Sequence, residues 1–182
     1  SLWASERALA HDQNDDFAWT NKGIALYKLK RYEDAIQAYD RANPNHTGAW
    51  YNKGVALSEL NRYDDAIQAY DQVLAIDPNH VAAWHNKGNA FDDLMRHEEA
   101  IIAYDRVLAI DPNHVTAWSN KGIALYNLDR CEEAVNAFDR ALKIDTYYLK
   151  AWYNKGVALS KLNRYDDAIQ AYDQVLAIYP ND

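Results

Sequence analysis

The sequence predicts an all-α fold, a solenoid built from antiparallel helical hairpins. A tryptophan followed by asparagine, lysine and glycine recurs five times, with the tryptophans at positions 19, 50, 84, 118 and 152. Each recurrence carries two apolar stretches at helical spacing, separated by a short polar turn. A repeat of about 34 residues made of two helices is typical of arrays in which each hairpin packs on the next.

The chain divides into a leading segment and five repeats. Residues 1–15 resemble the end of a repeat, so they predict a second helix without its first. The first repeat is three residues short, because "DRANPNH" stands where the second has "DQVLAIDPNH", and its second helix should end about one turn early. The fourth junction, "DTYYLKAW", lacks proline. The repeats are predicted at residues 16–46, 47–80, 81–114, 115–148 and 149–182.

The second repeat shows why each stretch should be helical. Its first helix should contain the apolar series from Trp50 to Leu60 and end at Asn61, since asparagine tolerates the left-handed conformation of helix ends. Its second helix should begin near Asp64–Asp65, where carboxylates favour the helix dipole. It should stop before Pro78, which cannot continue a helix.

These repeats resemble tetratricopeptide repeats (TPR), whose signature is Trp-x2-Leu-Gly-x2-Tyr, then Ala-x3-Phe, then Pro. Every repeat departs from it where lysine replaces the usual leucine, as at Lys53. The resemblance implies a right-handed superhelical α-solenoid whose first helices line a concave groove that binds proteins or peptides. The second repeat matches the signature spacings at Trp50, Gly54, Leu57, Ala66, Tyr70 and Pro78.

Three of the recurring residues have structural interpretations. The tryptophans are expected to fill the seam between stacked hairpins, since a buried aromatic covers on the order of 200 Å². The glycines cost roughly 1 kcal/mol each inside a helix, and close approach to a facing alanine, such as Ala66 opposite Gly54, would explain them. The lysines either pair with an acid of the preceding repeat or point into solvent. The proposed pairs are Glu6–Lys22, Asp40–Lys53, Asp71–Lys87, Asp105–Lys121 and Asp139–Lys155.

The asparagines are the functional candidates. They follow the tryptophan by two residues, about 200° round the helix, so they should face away from the seam and into the groove. An amide offers two donors and an acceptor, which suits it to an extended peptide backbone. The row resembles the asparagine ladder of some peptide-binding TPR superhelices; the alternative is that the amides position neighbouring helices. The row is Asn21, Asn52, Asn86, Asn120 and Asn154.

Other groove residues implied by the resemblance should set specificity. Aromatic residues would accept side chains, and Asp92 with Asp93 would favour a basic residue, although an acid pair on a helix is more often solvated. The carboxylate clamp of chaperone-binding TPR domains is disfavoured, because His85 and Asn154 stand where it needs cations. Its matching positions are Asn89, Asn120 and Lys150. The specificity candidates are Tyr51, His85, Asn89, Asp92, Asp93, Tyr126, Lys150 and Tyr153.

Composition limits the partners and the chemistry. A net charge of −8 argues against nucleic acid, which needs a basic face. No apolar run approaches 18 residues, so no membrane span is expected. A single cysteine, Cys131, and the absence of a signal-peptide pattern favour a cytoplasmic protein. The histidines are scattered, and no nucleophile or metal-ligand pattern occurs, so we expect no enzyme, cofactor or metal.

The function predicted is a scaffold that holds a peptide or a partner's helix in the groove. Solenoids normally need polar caps, and both ends here should expose apolar faces, so the chain is expected to be a fragment or to self-associate. The alternative function is therefore a spacer or self-assembly module. The near identity of residues 49–79 and 151–181, which differ only at Glu59/Lys161 and Asp77/Tyr179, favours this alternative. A recruiting segment of a larger enzyme is a third interpretation.

Overall fold

A computed structural model describes residues 2–178, which form eleven α-helices and no strand. After α1, first and second helices of the predicted repeats alternate along the chain, which confirms the all-α prediction. They are α1 Leu2–His11, α2 Asp16–Lys28, α3 Tyr32–Tyr39, α4 Thr47–Glu59, α5 Tyr63–Ile76, α6 Val81–Asp93, α7 His97–Ile110, α8 Val115–Asn127, α9 Cys131–Ile144, α10 Leu149–Lys161 and α11 Tyr165–Ile178. The last four residues of the predicted fifth repeat, 179–182, lie outside the described part.

The chain forms two compact units, unit 1 (Ser1–Leu94) with α1–α6 and unit 2 (Met95–Asp182) with α7–α11. Within each unit every helix packs on the next one. In addition, neighbouring first helices contact each other: α2 with α4 and α4 with α6 in unit 1, and α8 with α10 in unit 2. The second helices of residues 2–178 make no such contacts within a unit. First helices therefore lie on the inner side of each stack.

A left-handed residue ends each of the first helices α2, α4, α6, α8 and α10. Asn61 has φ 57°, which confirms the prediction for the second repeat, and α5 begins at Tyr63, one residue before the predicted acids. Only two of the five left-handed residues are asparagine, so the preference of asparagine for this conformation does not identify the other three helix ends. The five are Lys30, Asn61, Met95, Asp129 and Asn163.

Helix α3 is shorter than predicted. It has 8 residues where α5 has 14, a loss of roughly 9 Å rather than the single turn expected. After Tyr39 the chain continues through i→i+3 bonds, from Arg41 N–H to the Ala38 carbonyl at 3.2 Å and from Ala42 N–H to Tyr39 at 3.1 Å. This geometry rises about 2.0 Å per residue, so a connection with three fewer residues spans more length.

The glycines face an aromatic ring, not the alanine we predicted. A Cβ added at Gly54 would lie 2.5 Å from Cε1 of Tyr70, and the three nearest atoms all belong to that ring. Tyr70 comes one turn after Ala66 on α5, and its ring reaches across the hairpin, whereas Ala66 is buried beside it. Glycine is needed because the ring occupies the place of a side chain. The same contact joins Gly23 to Tyr39, Gly122 to Phe138 and Gly156 to Tyr172.

Candidate functional site

The tryptophans form hydrogen bonds with the backbone of the junctions between repeats. Each lies half-buried on its first helix, and its indole N–H donates to a backbone carbonyl six residues earlier, as from Trp84 to Pro78 at 2.9 Å. The fourth junction keeps this bond without a proline, from Trp152 to the Thr146 carbonyl at 2.8 Å. This role was not predicted, and it adds to the expected filling of the seam. The other bonds are Trp19 to Gln13, Trp50 to Pro44 and Trp118 to Pro112.

The predicted ladder of lysine–acid pairs is confirmed within both units. Lys87 Nζ lies 2.5 Å from Asp71 Oδ1 and 5.2 Å from the centroid of the Trp84 ring, so each lysine joins an acid and an indole. The interpretation in which both rows point into solvent is wrong. The other pairs are Lys53–Asp40 at 2.5 Å, Lys121–Asp105 at 2.5 Å, Lys155–Asp139 at 2.6 Å and Lys22–Glu6 at 3.8 Å.

Histidines cap three first helices, a role that the sequence reading missed. Nδ1 of His46 accepts from Ala49 N–H at 3.0 Å, and His80 and His114 cap α6 and α8 in the same way. The usable signal was Asp15, a common N-cap residue, which stands at the equivalent position before α2 and accepts from Ala18 N–H at 2.9 Å. Tyr148 occupies this position before α10 and makes no side-chain cap.

The asparagine row in unit 1 has two kinds of member. Asn21 is exposed and Asn52 half-buried, and neither side chain has a hydrogen-bond partner among residues 2–178. Asn86, by contrast, donates from Nδ2 to the Tyr51 hydroxyl at 3.1 Å, a bond between neighbouring first helices. The row therefore offers two amides that a ligand could bind and one that holds the fold.

In unit 2 the row is bonded within the chain. Lys150 Nζ donates to Asn120 Oδ1 at 3.0 Å, again joining neighbouring first helices. Asn154 donates from Nδ2 to the Lys150 carbonyl at 2.7 Å, a bond to the preceding turn of its own helix. The Asn120 bond serves the helix-positioning role that was the alternative interpretation of the row, whereas the Asn154 bond lies within its own helix.

The specificity candidates of unit 1 differ in exposure. Tyr51 is half-buried, with its ring 5.3 Å from His80 and 6.2 Å from Tyr70, so it packs the repeats together. His85, Asn89 and Asp92 are half-buried on α6, and Asp93 is exposed at its end. Although Asp93 is exposed, partial desolvation of its carboxyl group, and secondly the charge of Asp92, raise its pKa.

The specificity candidates of unit 2 are more accessible. Tyr153 is 56% exposed, with its ring 6.1 Å from Tyr172. Tyr126 lies under the Lys161 ammonium, which is 4.7 Å from its ring centroid and pairs with Asp129. Lys150 is exposed beside Asn120. Tyr153 and Lys150 are thus the candidates that a ligand in this unit would meet first.

Equivalent positions in the two units carry opposite charge. Glu59 ends α4 and accepts from the Tyr27 hydroxyl at 3.1 Å. Lys161 ends α10 and lies over Tyr126, the tyrosine equivalent to Tyr27. Because the flanking sequences are nearly the same, this position changes the charge of the face while the surrounding fold is kept.

Among residues 2–178, no three histidine, cysteine or acidic side chains come together so as to hold a metal ion. None of the helices there combines the length and the apolar character needed to cross a bilayer.

Paired helices of this length, a tryptophan–glycine signature and a period near 34 residues define a helical-repeat protein. Family models of the tetratricopeptide repeat match residues 51–115, 115–148 and 149–182. The chain belongs to the tetratricopeptide repeat family. A further model, described as anaphase-promoting complex, cyclosome, subunit 3, matches residues 2–73.

Solved structures of low sequence identity have the same fold, and they confirm the TPR solenoid class. The MamA protein is 19% identical, with 90% of this chain and 91% of that chain covered and a TM-score of 0.85. YrrB, described as a TPR protein with an unusual peptide-binding site, is 21% identical over 100% and 95%, with a TM-score of 0.84. MamA from Desulfovibrio magneticus RS-1 is 22% identical over 90% and 94%, with a TM-score of 0.84. Comparison with curated proteins gives no match.

Proposed function

We propose that this chain is an interaction scaffold that binds an extended peptide along the inner, first-helix face and performs no chemistry itself. The observation that carries the proposal is the pair of unpartnered amides, Asn21 and Asn52, one repeat apart on that face of unit 1. Two amides at repeat spacing suit the recurring N–H and C=O groups of an extended backbone. YrrB, a structural neighbour described as having a peptide-binding site, supports this choice.

The other candidates have graded roles in this proposal. Asn86, Asn120 and Asn154 would contact a peptide only by exchanging the bonds they now make. In unit 1, Glu59, Asp92 and Asp93 favour basic peptide residues, with Tyr51, His85 and Asn89 as the walls beside them. In unit 2, Lys150 and Lys161 favour acidic ones, with Tyr126 and Tyr153 as aromatic contacts. The five-repeat division is part of the proposal and is supported by the helix pairs; the cytoplasmic setting rests on the sequence alone.

A peptide array probed with the intact chain tests this function. Replacing Asn21 and Asn52 together by Ala removes hydrogen bonds of about 1 kcal/mol each, so peptide binding should weaken roughly tenfold or more. The matched control is Gln37→Ala with Gln68→Ala, which removes two exposed amides from the second helices of the same repeats. Equal weakening in both variants, or no peptide bound by the parent chain, contradicts the proposal.

Self-association is the second candidate function, favoured by the apolar face of α11. Ile169 and Leu176 are 57% and 55% exposed, whereas the equivalent Ile67 and Leu74 of α5 are 8% and 7% exposed. Exposed apolar patches mark interaction surfaces. Sedimentation equilibrium over a wide concentration range should then give a mass above 20.9 kDa that rises with concentration; a constant monomer mass contradicts this function.

A further inference from the structure

Helix α11 has an exposed apolar face, and the same face on helix α5 is covered by another helix. Its fourteen residues are the same as those of α5. We define the open face of α11 as Ile169, Asp173 and Leu176. On α5 the equivalent residues are covered by the first helix α6, which packs directly on α5. A face with this sequence is therefore built to receive a first helix.

The features that a first helix must bring are set by the α5–α6 contact. Lys87 of α6 pairs with Asp71 of α5 at 2.5 Å and lies over the Trp84 ring, while Trp84 packs against the cluster that contains Leu74. Asp173, the counterpart of Asp71, is exposed and has no lysine partner among residues 2–178. The occupant of the open face needs a tryptophan with a lysine three residues later.

Helix α2 is covered by a second helix with smaller side chains than α5 has. Its cover is α1, which has Ser5 where the other second helices have Tyr or Phe, and Ala8 where α5 has Val73. The ladder pair at this contact, Lys22–Glu6, is long, at 3.8 Å, whereas the other pairs measure 2.5–2.6 Å. Small side chains and a long ion pair leave α1 loosely held.

Cavities flank α1 on both sides. One of about 580 Å³ separates α1 from the α2–α3 hairpin and is lined by Leu2, Glu6 and Trp19. The equivalent cavities at the second and fifth repeats measure about 290 and 470 Å³. A second cavity, of about 450 Å³, is lined by Ser5 and Ala8 of α1 and Phe17 of α2, among others. All of these clefts are open to solvent, and the wider cleft at α1 agrees with the small side chains of Ser5 and Ala8 and with the long Lys22–Glu6 pair.

We propose that α11 of one copy replaces α1 on helix α2 of a second copy. This rests on the self-association function above. In the exchanged contact Asp173 pairs with Lys22, and Ile169 and Leu176 cover the α2 surface that Leu2 and Leu9 now cover. Residues 2–178 of each copy carry one open face and one exchangeable helix, so the contact is heterologous and extends head to tail into open chains.

A charge swap in the full chain tests the contact. Sedimentation equilibrium of the parent chain should show mass rising with concentration. Asp173→Lys places a cation opposite Lys22, and Lys22→Asp places an acid opposite Asp173, so each should weaken association at least tenfold. The double variant restores an opposite pair in the exchanged contact and repels Glu6 of its own α1. It should associate at least as well as the parent.

Controls separate this contact from other causes. Asp166→Lys makes the same charge change on α11 at a position whose α5 counterpart, Asp64, stays exposed although that face is covered; it should associate normally. Unchanged helicity by circular dichroism shows that the variants fold. Association that is indifferent to the single variants, or no recovery in the double variant, overturns the exchange while self-association stands. A parent chain that remains monomeric overturns both.

A peptide spanning residues 77–93, which includes α6, tests whether the open face of α11 binds a second copy of this chain or a helix of another protein. In the exchange model this peptide competes for the open face and lowers the mass of the parent chain. If the parent chain never associates but binds the peptide in a manner that Asp173→Lys abolishes, the face receives a helix from another protein, and the exchange between copies is overturned.

Discussion

Helices α5 and α11 share one sequence and differ in the burial of their large apolar side chains. Val73 of α5 is fully buried, and Ile67 and Leu74 are nearly so, whereas Ile169 and Leu176 of α11 are more than half exposed. The difference comes from the helix next door, because α6 covers α5 and no first helix among residues 2–178 covers α11 in this way. In a repeat array, the energetic role of a residue therefore depends on its neighbours as much as on its own repeat.

Truncating the same leucine in both helices should give the largest difference. Leu74→Ala leaves a cavity between α5 and α6 and should lower the free energy of unfolding by about 2–5 kcal/mol. Leu176→Ala removes a half-exposed side chain and should cost less than about 1 kcal/mol. Urea denaturation of both variants measures the two values.

Repeating these denaturation measurements at several protein concentrations shows whether a second copy covers α11. If the open face of α11 is covered by a second copy, the cost of Leu176→Ala should grow with concentration, while that of Leu74→Ala should not. Equal losses at low concentration would mean that α11 is already covered within the monomer, against the exposure described above.

The glycine contacts should respond differently in the two repeats. Alanine at Gly54 or Gly156 places a methyl group about 2.5 Å from a tyrosine ring and gains roughly 1 kcal/mol of helix propensity. Tyr70 is 1% exposed and cannot move, so Gly54→Ala should cost a net 1–3 kcal/mol or so, as overpacking does. Tyr172 is half-buried and can turn aside, so Gly156→Ala should be close to neutral.

Thermal unfolding followed by circular dichroism distinguishes these outcomes. Gly54→Ser would be a poor control, because it also adds a hydroxyl; Tyr70→Leu combined with Gly54→Ala is better, since it removes the ring that clashes. Recovery in that double variant supports the ring contact. Equal destabilisation by both alanines would contradict the argument from ring mobility.

The sequence predicted the features that follow from the repeat period. It missed those that depend on which side chains are in contact. Two rows with one period predicted the lysine–acid ladder, and the tolerance of asparagine for positive φ predicted the end at Asn61. Periodicity could not distinguish Ala66 from Tyr70 as the neighbour of Gly54, because both lie on the side of α5 that faces its partner. Periodicity also could not show that the side-chain amide of Asn86 donates a hydrogen bond to the Tyr51 hydroxyl.

The histidine caps and the length of α3 show a second limit. His46 is not among the usual capping residues, so its role was visible only by comparison with Asp15. The deletion in the first repeat gave the number of missing residues but not the path of the remaining ones, which changed from α-helix to i→i+3 turns. Both features depend on how the junction packs.

The lysine–acid ladder should give the smallest difference in stability between α5 and α11. Removing the acid should cost free energy of unfolding only where a lysine pairs with it. Asp71→Asn removes the carboxylate that pairs with Lys87 and should cost about 0–1 kcal/mol, because the pair is partly exposed and screened by solvent. Asp173→Asn removes a carboxylate with no lysine partner among residues 2–178 and should leave the free energy of unfolding unchanged. The cost of Asp71→Asn should shrink as salt is raised. If it is independent of salt and is matched by Asp173→Asn, the ladder adds nothing to stability, and lysine in place of the family's leucine serves only the indole beneath it.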